Sequence, residues 1–361
     1  MLEQGMNSVA MRPVLRGAAR PLAGLLATAA VTVALAGGSD HAIAQDNSLR
    51  ELGFTAHERQ KIERGEIVGR TAEADPSAVA LVVAGTIAVP PAFYIEKLHD
   101  IAAFKKTAEV LQIGRFARVP SADDLAGLTL DDADVNELQG CRVGDCGVKL
   151  DEEGISQLAL RHTQSAAASV AMRHYLTGYV QRYLEKGNGS LIEYRDAATP
   201  RRLADELGAI VKQIPQLERD WPALHKSVAA FAGAAPATLD HFIYWSKEKL
   251  GPRGVISVTH AIISPLSHGK AAIASKQLYA SHYTNGSLGL TILVDKGTVA
   301  APRTLVVYVN RSRVDIFGGL LGGIKRPLVR SKARDGAERM MRQLREGLER
   351  EYRAGGRAKE G

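Results

Sequence analysis

Five segments between residues 239 and 314 carry apolar residues at every second position. In the fourth segment, Leu288, Leu290, Ile292 and Val294 recur with this period. A period of two is typical of a strand with one buried face. The segments follow one another without an intervening helix, and dipeptides such as Asn285-Gly286 favour tight hairpins, so an antiparallel meander is predicted. The five predicted strands are 241–247, 255–263, 273–283, 287–294 and 304–314.

A long amphipathic helix is predicted after the meander, beginning at Pro327 and running to Tyr352. Its apolar stripe consists of Val329, Ala333, Ala337, Met340, Met341, Leu344, Leu348 and Tyr352, and its other face is rich in arginine. A meander with one buried face must be covered by another element, and this helix is the only late element able to do so. We therefore expect an antiparallel sheet that grips the C-terminal helix.

The first half of the chain adds one strand and many helices. Residues 78–89 are uncharged and β-branched, which predicts a buried strand, and Pro90-Pro91 then starts a helix to Phe104. The middle of the chain, about 105–235, is predicted to be mainly helical. Within it Tyr175, Tyr179 and Tyr183 lie four residues apart, and we interpret them as packing residues with hydroxyls on polar partners. The predicted fold class is α+β, with an extra helical region in the middle.

Several segments together resemble START-like, Bet v 1-type helix-grip domains of the SRPBCC superfamily. They are the strand Val79–Val89, the run Pro90-Pro91-Ala92-Phe93, the step Leu98-His99-Asp100-Ile101, and the meander with its closing helix 327–352. The resemblance implies a hydrophobic ligand between sheet and terminal helix, and some members are enzymes of the polyketide cyclase type. The helical stretch 105–235 is a departure, because the family usually has two helices there.

The N-terminal segment predicts export. Arg12, Arg16 and Arg20 precede an apolar run from Leu22 to Leu35, and Ala42-Ile43-Ala44 matches the site that signal peptidase reads. We expect residues 1–44 to be a signal peptide cleaved near Ala44, and residues 45–361 to form a single periplasmic or secreted domain.

Cys141 and Cys146 are the only two cysteines of the chain, and they lie in a polar, glycine-rich stretch. An oxidising compartment favours a bridge between them. Their spacing matches neither a haem attachment motif nor a thioredoxin motif, and no zinc ligands lie near them. A structural disulfide is therefore predicted.

The basic charge of the chain is concentrated at its C-terminal end. The whole chain has a net charge of +7. Residues 1–44 contribute +1 and residues 318–361, with 12 basic and 6 acidic residues, contribute +6, so the body 45–317 is formally neutral. This distribution argues against a nucleic-acid-binding surface spread over the fold. It indicates either contact of helix 327–352 with an anionic membrane surface or a well-solvated helix face.

Polar residues within the apolar strands are the candidate ligand-binding residues, namely His260, Tyr279, Tyr283, Asn310 and Arg311. His260 is either a core histidine or a polar contact at a cavity wall. Arg311 either lies at a solvated strand end or receives a carboxylate or phosphate head group by bidentate contacts. The sequence holds no nucleophile elbow, phosphate-binding loop, dinucleotide fingerprint or zinc-protease motif, so we predict no catalytic residue, metal or cofactor.

The predicted function is an exported binding protein for a hydrophobic or lipid-like ligand, held between the sheet and the C-terminal helix. One alternative is an enzyme of cyclase or hydrolase type on the same scaffold, with His260 or a tyrosine as general acid or base. Another is a cell-envelope interaction protein that docks through the helices of residues 150–235.

Overall fold

The computed structural model of the protein describes residues 49–72, 77–158, 165–250, 253–315 and 322–360. For residues 322–325 and 356–360 it describes the backbone alone. The predicted signal peptide, residues 1–44, lies outside the described residues. The described residues belong to one compact unit that spans Asp46–Gly361.

The described part of the chain contains ten strands, helical residues at 49–51 and ten further α-helices. The strands are β1 (Val68–Thr71), β2 (Ala78–Ile87), β3 (Val110–Arg115), β4 (Glu193–Tyr194), β5 (Arg201–Arg202), β6 (Asp240–Leu250), β7 (Arg253–Ser267), β8 (Lys270–Ala280), β9 (Thr284–Asp295) and β10 (Thr304–Val314). The helices are α1 (Ala56–Glu63), α2 (Pro91–Leu98), α3 (Ile101–Phe104), α4 (Asp132–Gln139), α5 (Glu152–Leu158), α6 (Ser165–Lys186), α7 (Leu203–Val211), α8 (Pro215–Asp220), α9 (Pro222–Ala229) and α10 (Gly322–Glu360). Two 3₁₀ turns lie at Ala122–Leu125 and Gly187–Ser190.

The main sheet has eight strands in the order β1-β2-β10-β9-β8-β7-β6-β3, and every neighbouring pair is antiparallel. The five predicted strands of the meander are β6 to β10, and β2 is the predicted strand 78–89. Strand β2 closes the meander because it pairs with β10 along its whole length. The order of one strand, two short helices, a meander and a long terminal helix is compatible with a helix-grip fold, and the class is α+β as predicted.

One face of the sheet, here called the helix face, packs against α2, α3 and α10. It presents aliphatic and aromatic side chains from every long strand, among them Val83, Val306, Leu293, Ile273, Ile263 and Phe242. Helix α10 lies over β2 and β1, and it buries Ala337, Met341 and Leu348.

The opposite face, here called the insertion face, is covered by residues 116–239, which join β3 to β6. Helices α4 to α6 cover its β6–β8 end, α7 covers β9 and β10, and α9 packs on β7 and β8. Both faces of the sheet are therefore buried, which explains why the strands hold so many apolar residues. The extra helices predicted in the middle of the chain form this third layer.

Some element bounds differ from the prediction. Asn285-Gly286 is not a hairpin turn, because both residues lie in β9, and Ser281–Tyr283 make the turn from β8 instead. A Cβ at Gly286 would lie 3.2 Å from side-chain atoms of Glu206 and Leu203, so this glycine allows α7 to approach the strand. A tight turn occurs between β7 and β8, where His268 and Gly269 both have positive φ.

The predicted helix 91–104 is two helices, because Asp100 caps the start of α3 by accepting a hydrogen bond from the amide of Ala103. The predicted strand 273–283 ends at Ala280 and excludes Tyr283. Helix α10 begins at Gly322, before Pro327. Among the described residues, no helix combines the length and the apolar character that a membrane span requires.

Candidate functional site

The structure distributes the five predicted ligand-binding residues over three places. His260, Tyr279 and Arg311 lie on the insertion face, whereas the side chain of Asn310 lies on the helix face, where it donates to the hydroxyl of Tyr308 at 3.3 Å. Tyr283 lies in the turn after β8 with φ of 66°. The five residues therefore do not form one site between the sheet and α10.

Aromatic side chains join the helices that cover the helix face. Phe93 and Tyr352 pack edge to face at 5.0 Å, and Tyr94 and Phe104 do so at 5.2 Å. Burial raises the pKa of the Tyr94 phenol above its ordinary range. These contacts join α2 to α10 and to α3 on this side of the sheet.

A pocket of about 390 Å³ lies on the insertion face beside Arg311. Val82, Val309, Leu52 and Ile214 supply apolar lining, and the polar lining comes from Glu51, Arg70, Thr71, Gln213, Gln216 and Arg311. The pocket is built from four parts of the chain: the N-terminal segment, the β1 region, the middle of the sheet, and the start of α8.

Two guanidinium groups are held at this pocket by hydrogen bonds. Arg311 donates Nη1 to Oε1 of Gln213 at 3.0 Å, and burial lowers the pKa of Arg311 without depriving it of charge at neutral pH. Arg70 donates to Oε2 of Glu58 at 2.9 Å and to the carbonyl oxygen of Gly53. Guanidinium groups above an apolar floor are suited to a ligand with an acidic head and an apolar body.

A second polar cluster lies at the other end of the insertion face, around His260. The hydroxyl of Tyr183 is 2.9 Å from Nδ1 of His260, and Nε2 of His260 is 3.0 Å from Nδ1 of His241. His260 is fully buried and His241 is partly exposed. Burial, together with the charge of Lys276, holds the pKa of His260 well below its ordinary value.

Lys276 pairs directly across from His260 in the ladder between β7 and β8, and its side chain is fully buried. Its ammonium group donates to Oδ1 of Asn188 at 2.8 Å and lies 5.0 Å from the ring centre of Tyr183. Desolvation lowers the pKa of Lys276 to about 7. The ammonium group of Lys276 also lies beside the carbonyl oxygen of Val228, at the C-terminal end of α9. The C-terminal end of a helix favours a positive charge.

Serine, histidine and glutamate also meet in a chain of hydrogen bonds beside the disulfide. Nδ1 of His282 is 2.8 Å from the hydroxyl of Ser281, and its Nε2 is 3.0 Å from Oε2 of Glu137. This is the order of a nucleophile, a base and an orienting acid. The Ser281 side chain is buried, however, and its oxygen accepts a hydrogen bond from the amide of Ile256. We interpret the group as part of the packing.

The predicted disulfide between Cys141 and Cys146 is present. The loop that it closes is attached to the segment after β4, because the amides of Gly144 and Cys146 donate to the carbonyl oxygens of Arg195 and Asp196. The bridge therefore fixes a local contact within the insertion. No group of three or more histidine, cysteine or acidic side chains suited to a metal ion occurs among the described residues.

The predicted packing role of the tyrosine stripe is confirmed. Tyr175, Tyr179 and Tyr183 are buried in the core of the insertion, and each hydroxyl has a polar partner. Tyr279 lies against the same stripe, but no hydrogen bond to its buried hydroxyl is found among the described residues.

Sequence reasoning missed Lys276, Arg70 and Gln213. Lys276 carried a usable signal, because it follows Ala272 and Ala274 at the same phase of an apolar strand. Arg70 and Gln213 carried none, because they stand on a short edge strand and after a helix, and only the folded chain brings them beside Arg311.

Comparisons with known proteins add no relative: no family model, no curated protein and no solved structure matches this chain.

Proposed function

We propose that the protein binds a small amphipathic anion, a lipid-like molecule with a carboxylate or phosphate head, in the pocket beside Arg311. The observation that carries this proposal is the joint presence of two guanidinium groups and an apolar floor in one pocket of about 390 Å³. That size lies within the range of small-molecule sites. The proposed ligand lies on the insertion face, whereas the sequence-based expectation was a ligand between the sheet and α10.

The two parts of such a ligand would be recognised by different forces. The head would accept hydrogen bonds from Arg311 and Arg70, in addition to the bonds that these groups make within the protein. The body would be held by burial against Val82, Val309 and Ile214, at about 25 cal/mol per Å² of apolar surface. Affinity would therefore depend on both the charge and the chain length.

The proposal is tested with the full chain and decanoate as the probe, by isothermal titration calorimetry. We expect Arg311→Gln to weaken binding by roughly tenfold or more, since a charge-assisted hydrogen bond contributes at least about 1.4 kcal/mol. Arg313→Gln is the matched control: it lies two residues along the same strand face and bonds Glu206 instead of lining the pocket. Decanol should bind more weakly than decanoate.

Equal affinity of both variants for decanoate would contradict the site. Binding of decanol and decanoate with the same affinity would contradict recognition of an acidic head. Lipids that co-purify with the chain, identified by mass spectrometry after extraction, would name the natural class of ligand.

We further propose that the chain is a divergent, exported member of the START-like, Bet v 1-type superfamily, with residues 45–361 as one domain. The succession of β2, α2, α3, the meander and α10 supports this proposal. Expression with its own N-terminus, followed by mass measurement of the exported protein, tests the export: a chain that still begins at Met1 would contradict cleavage near Ala44.

The enzyme alternative rests on His260, and its environment is less favourable to catalysis than to packing. The imidazole is fully buried, and both ring nitrogens already face a partner, Tyr183 on one side and His241 on the other. The envelope-interaction alternative would use helices that here bury their apolar sides against the sheet. Binding of a small ligand is therefore the function that the geometry supports best.

A further inference from the structure

His241 and His260 contact each other within the sheet, and His260 also contacts the insertion. His241 stands on β6 and His260 on β7, and the partner of His260 on the other side is Tyr183 at the end of α6. Phe231, just after α9, stacks on Tyr183 at 5.0 Å and meets the ring of His260 at 4.9 Å. The insertion thus contacts the sheet through His260 and buries this imidazole.

The geometry limits how many protons the pair can hold. A hydrogen bond between Nδ1 of His241 and Nε2 of His260, 3.0 Å apart, needs a hydrogen on one nitrogen and a lone pair on the other. The neutral pair meets this condition, and so does the pair with one added proton. With two added protons, both nitrogens carry hydrogen, and two positive charges face each other at hydrogen-bond distance.

Two cations and one carboxylate act on the pair from the elements around it. Lys276 faces His260 from β8, and Arg118 acts on His241 from the loop after β3. Tyr183 faces the pair from α6 with a hydroxyl that can donate or accept. The carboxylate that acts on His241 is Asp240, which also lies 3.2 Å from Nε2 of His99.

We propose that the His241–His260 pair is an acid-sensitive latch: the insertion stays on the sheet while the pair carries at most one added proton, and it opens when a second proton binds, because opening lets water reach the buried positive charges. This latch does not depend on the proposed ligand. Burial lowers the pKa of both imidazoles in the folded chain. The unfolded chain, with histidine pKa near 6.5, therefore binds more protons below that pH, so acid favours opening.

The experiment is hydrogen exchange on the full, ligand-free chain between about pH 7.5 and about pH 4.5, corrected for the intrinsic effect of pH on exchange. The readout is protection of the amides of residues 183–190 and 228–231. We expect wild-type protection to be lost steeply below about pH 6, within the range in which histidines titrate.

His241→Asn keeps a hydrogen-bonding group at the position of Nδ1 and removes the second titrating ring. We expect it to move the midpoint of opening down by roughly half a pH unit or more. His174→Asn is the matched control, because His174 is an exposed histidine of α6, the helix that also carries Tyr183. The same midpoint in wild type and His241→Asn would overturn the latch, and so would an equal shift in the control.

A second measurement applies if His241→Asn does not fold. Nitrogen chemical shifts of the imidazoles in the wild-type chain report how many protons each ring holds. We expect at most one imidazolium in the pair while residues 183–190 remain protected. Two imidazolium rings in the protected state would overturn the proposal.

Discussion

The effect of a buried hydroxyl on stability depends on whether it has a hydrogen-bond partner. Two tyrosines of the insertion core allow a direct comparison. Tyr179 donates to the carbonyl oxygen of Leu278 at 2.7 Å and accepts from the amide of Ile192 at 3.3 Å. Tyr279, in the same core, is fully buried, and the described residues provide no hydrogen bond to its hydroxyl.

We therefore expect Tyr179→Phe to lower the free energy of unfolding by about 1–3 kcal/mol, because it leaves buried partners unsatisfied. Tyr279→Phe should leave stability unchanged or raise it, because it removes a buried polar atom that lacks a partner. Denaturant unfolding of the two variants is the measurement. A large loss of stability in Tyr279→Phe would show that its hydroxyl has a partner, such as a bound water.

Lys276 makes stability depend on pH in the alkaline range. Its pKa is about 7 in the folded chain, because of desolvation, and about 10.5 in the unfolded chain. Between these values the unfolded chain binds more protons, so the contribution of Lys276 to stability increases as pH rises. The destabilisation caused by burying the protonated Lys276 is fully present below pH 7.

As the pH is raised from about 7 to about 9.5, we expect the thermal midpoint of the wild type to rise relative to that of Lys276→Met. Methionine fills a similar volume and does not titrate. Lys249→Met, at an exposed position of β6, should follow the wild type. Parallel profiles for wild type and Lys276→Met would mean that the buried amine keeps an ordinary pKa.

The terminal helix α10 packs against the sheet along one side. The exposure of two adjacent methionines shows which side is buried. Met341 is 5% exposed and lies in the core of the helix face, whereas Met340 is 42% exposed. The predicted apolar stripe included both, because a period of 3.6 residues assigns neighbouring positions to the same broad face. The packing against β1 and β2 decides between them.

Met341→Ala should lower the free energy of unfolding by about 2–5 kcal/mol, through lost burial and the cavity left behind. Met340→Ala should change it by less than about 0.5 kcal/mol, as is usual for an exposed site. Urea unfolding of the two variants compares them directly. Equal losses would contradict the orientation of α10 on the sheet.

The whole molecule shows how much of the basic helix remains available to a partner. Arg330 and Arg345 donate to the carbonyl oxygens of Ala78 and Gly65, so these two guanidinium groups attach the helix to the sheet edge. Arg334, Arg342 and Arg353 each lie against a carboxylate of the helix, on Asp335, Glu338 and Glu349. The exposed cations of the helix include Lys332, Arg339 and Arg350.

Contact with an anionic membrane surface stays a prediction, and it depends on these exposed cations. We expect co-sedimentation with phosphatidylglycerol-containing vesicles to be lost in the triple variant Lys332→Gln, Arg339→Gln, Arg350→Gln, since each cation near such a surface contributes about 1 kcal/mol. The charge-matched control replaces Arg202, Lys226 and Lys249, exposed cations outside the helix. Loss of binding in both triple variants would point to net charge, and retention in both would contradict the prediction.

Local patterns were enough for six of the eight strands of the sheet and for the helix that packs on it. The positions of β2 and β6 to β10, the disulfide and the α+β class follow from period, turn residues and composition, all of which are read over short stretches of chain. The short edge strands β1 and β3 were missed, since four to six residues carry too little periodicity.

What the sequence determined by itself is therefore a set of faces: each strand has an apolar side, and the terminal helix has an apolar stripe. Only the tertiary structure decided what covers each face. The insertion 116–239 packs on the side that carries His260, Tyr279 and Arg311, so these residues meet Tyr183, Phe231 and Gln213 instead of α10. The reason is physical: apolar burial is non-directional, and it favours covering a face without specifying which distant segment covers it.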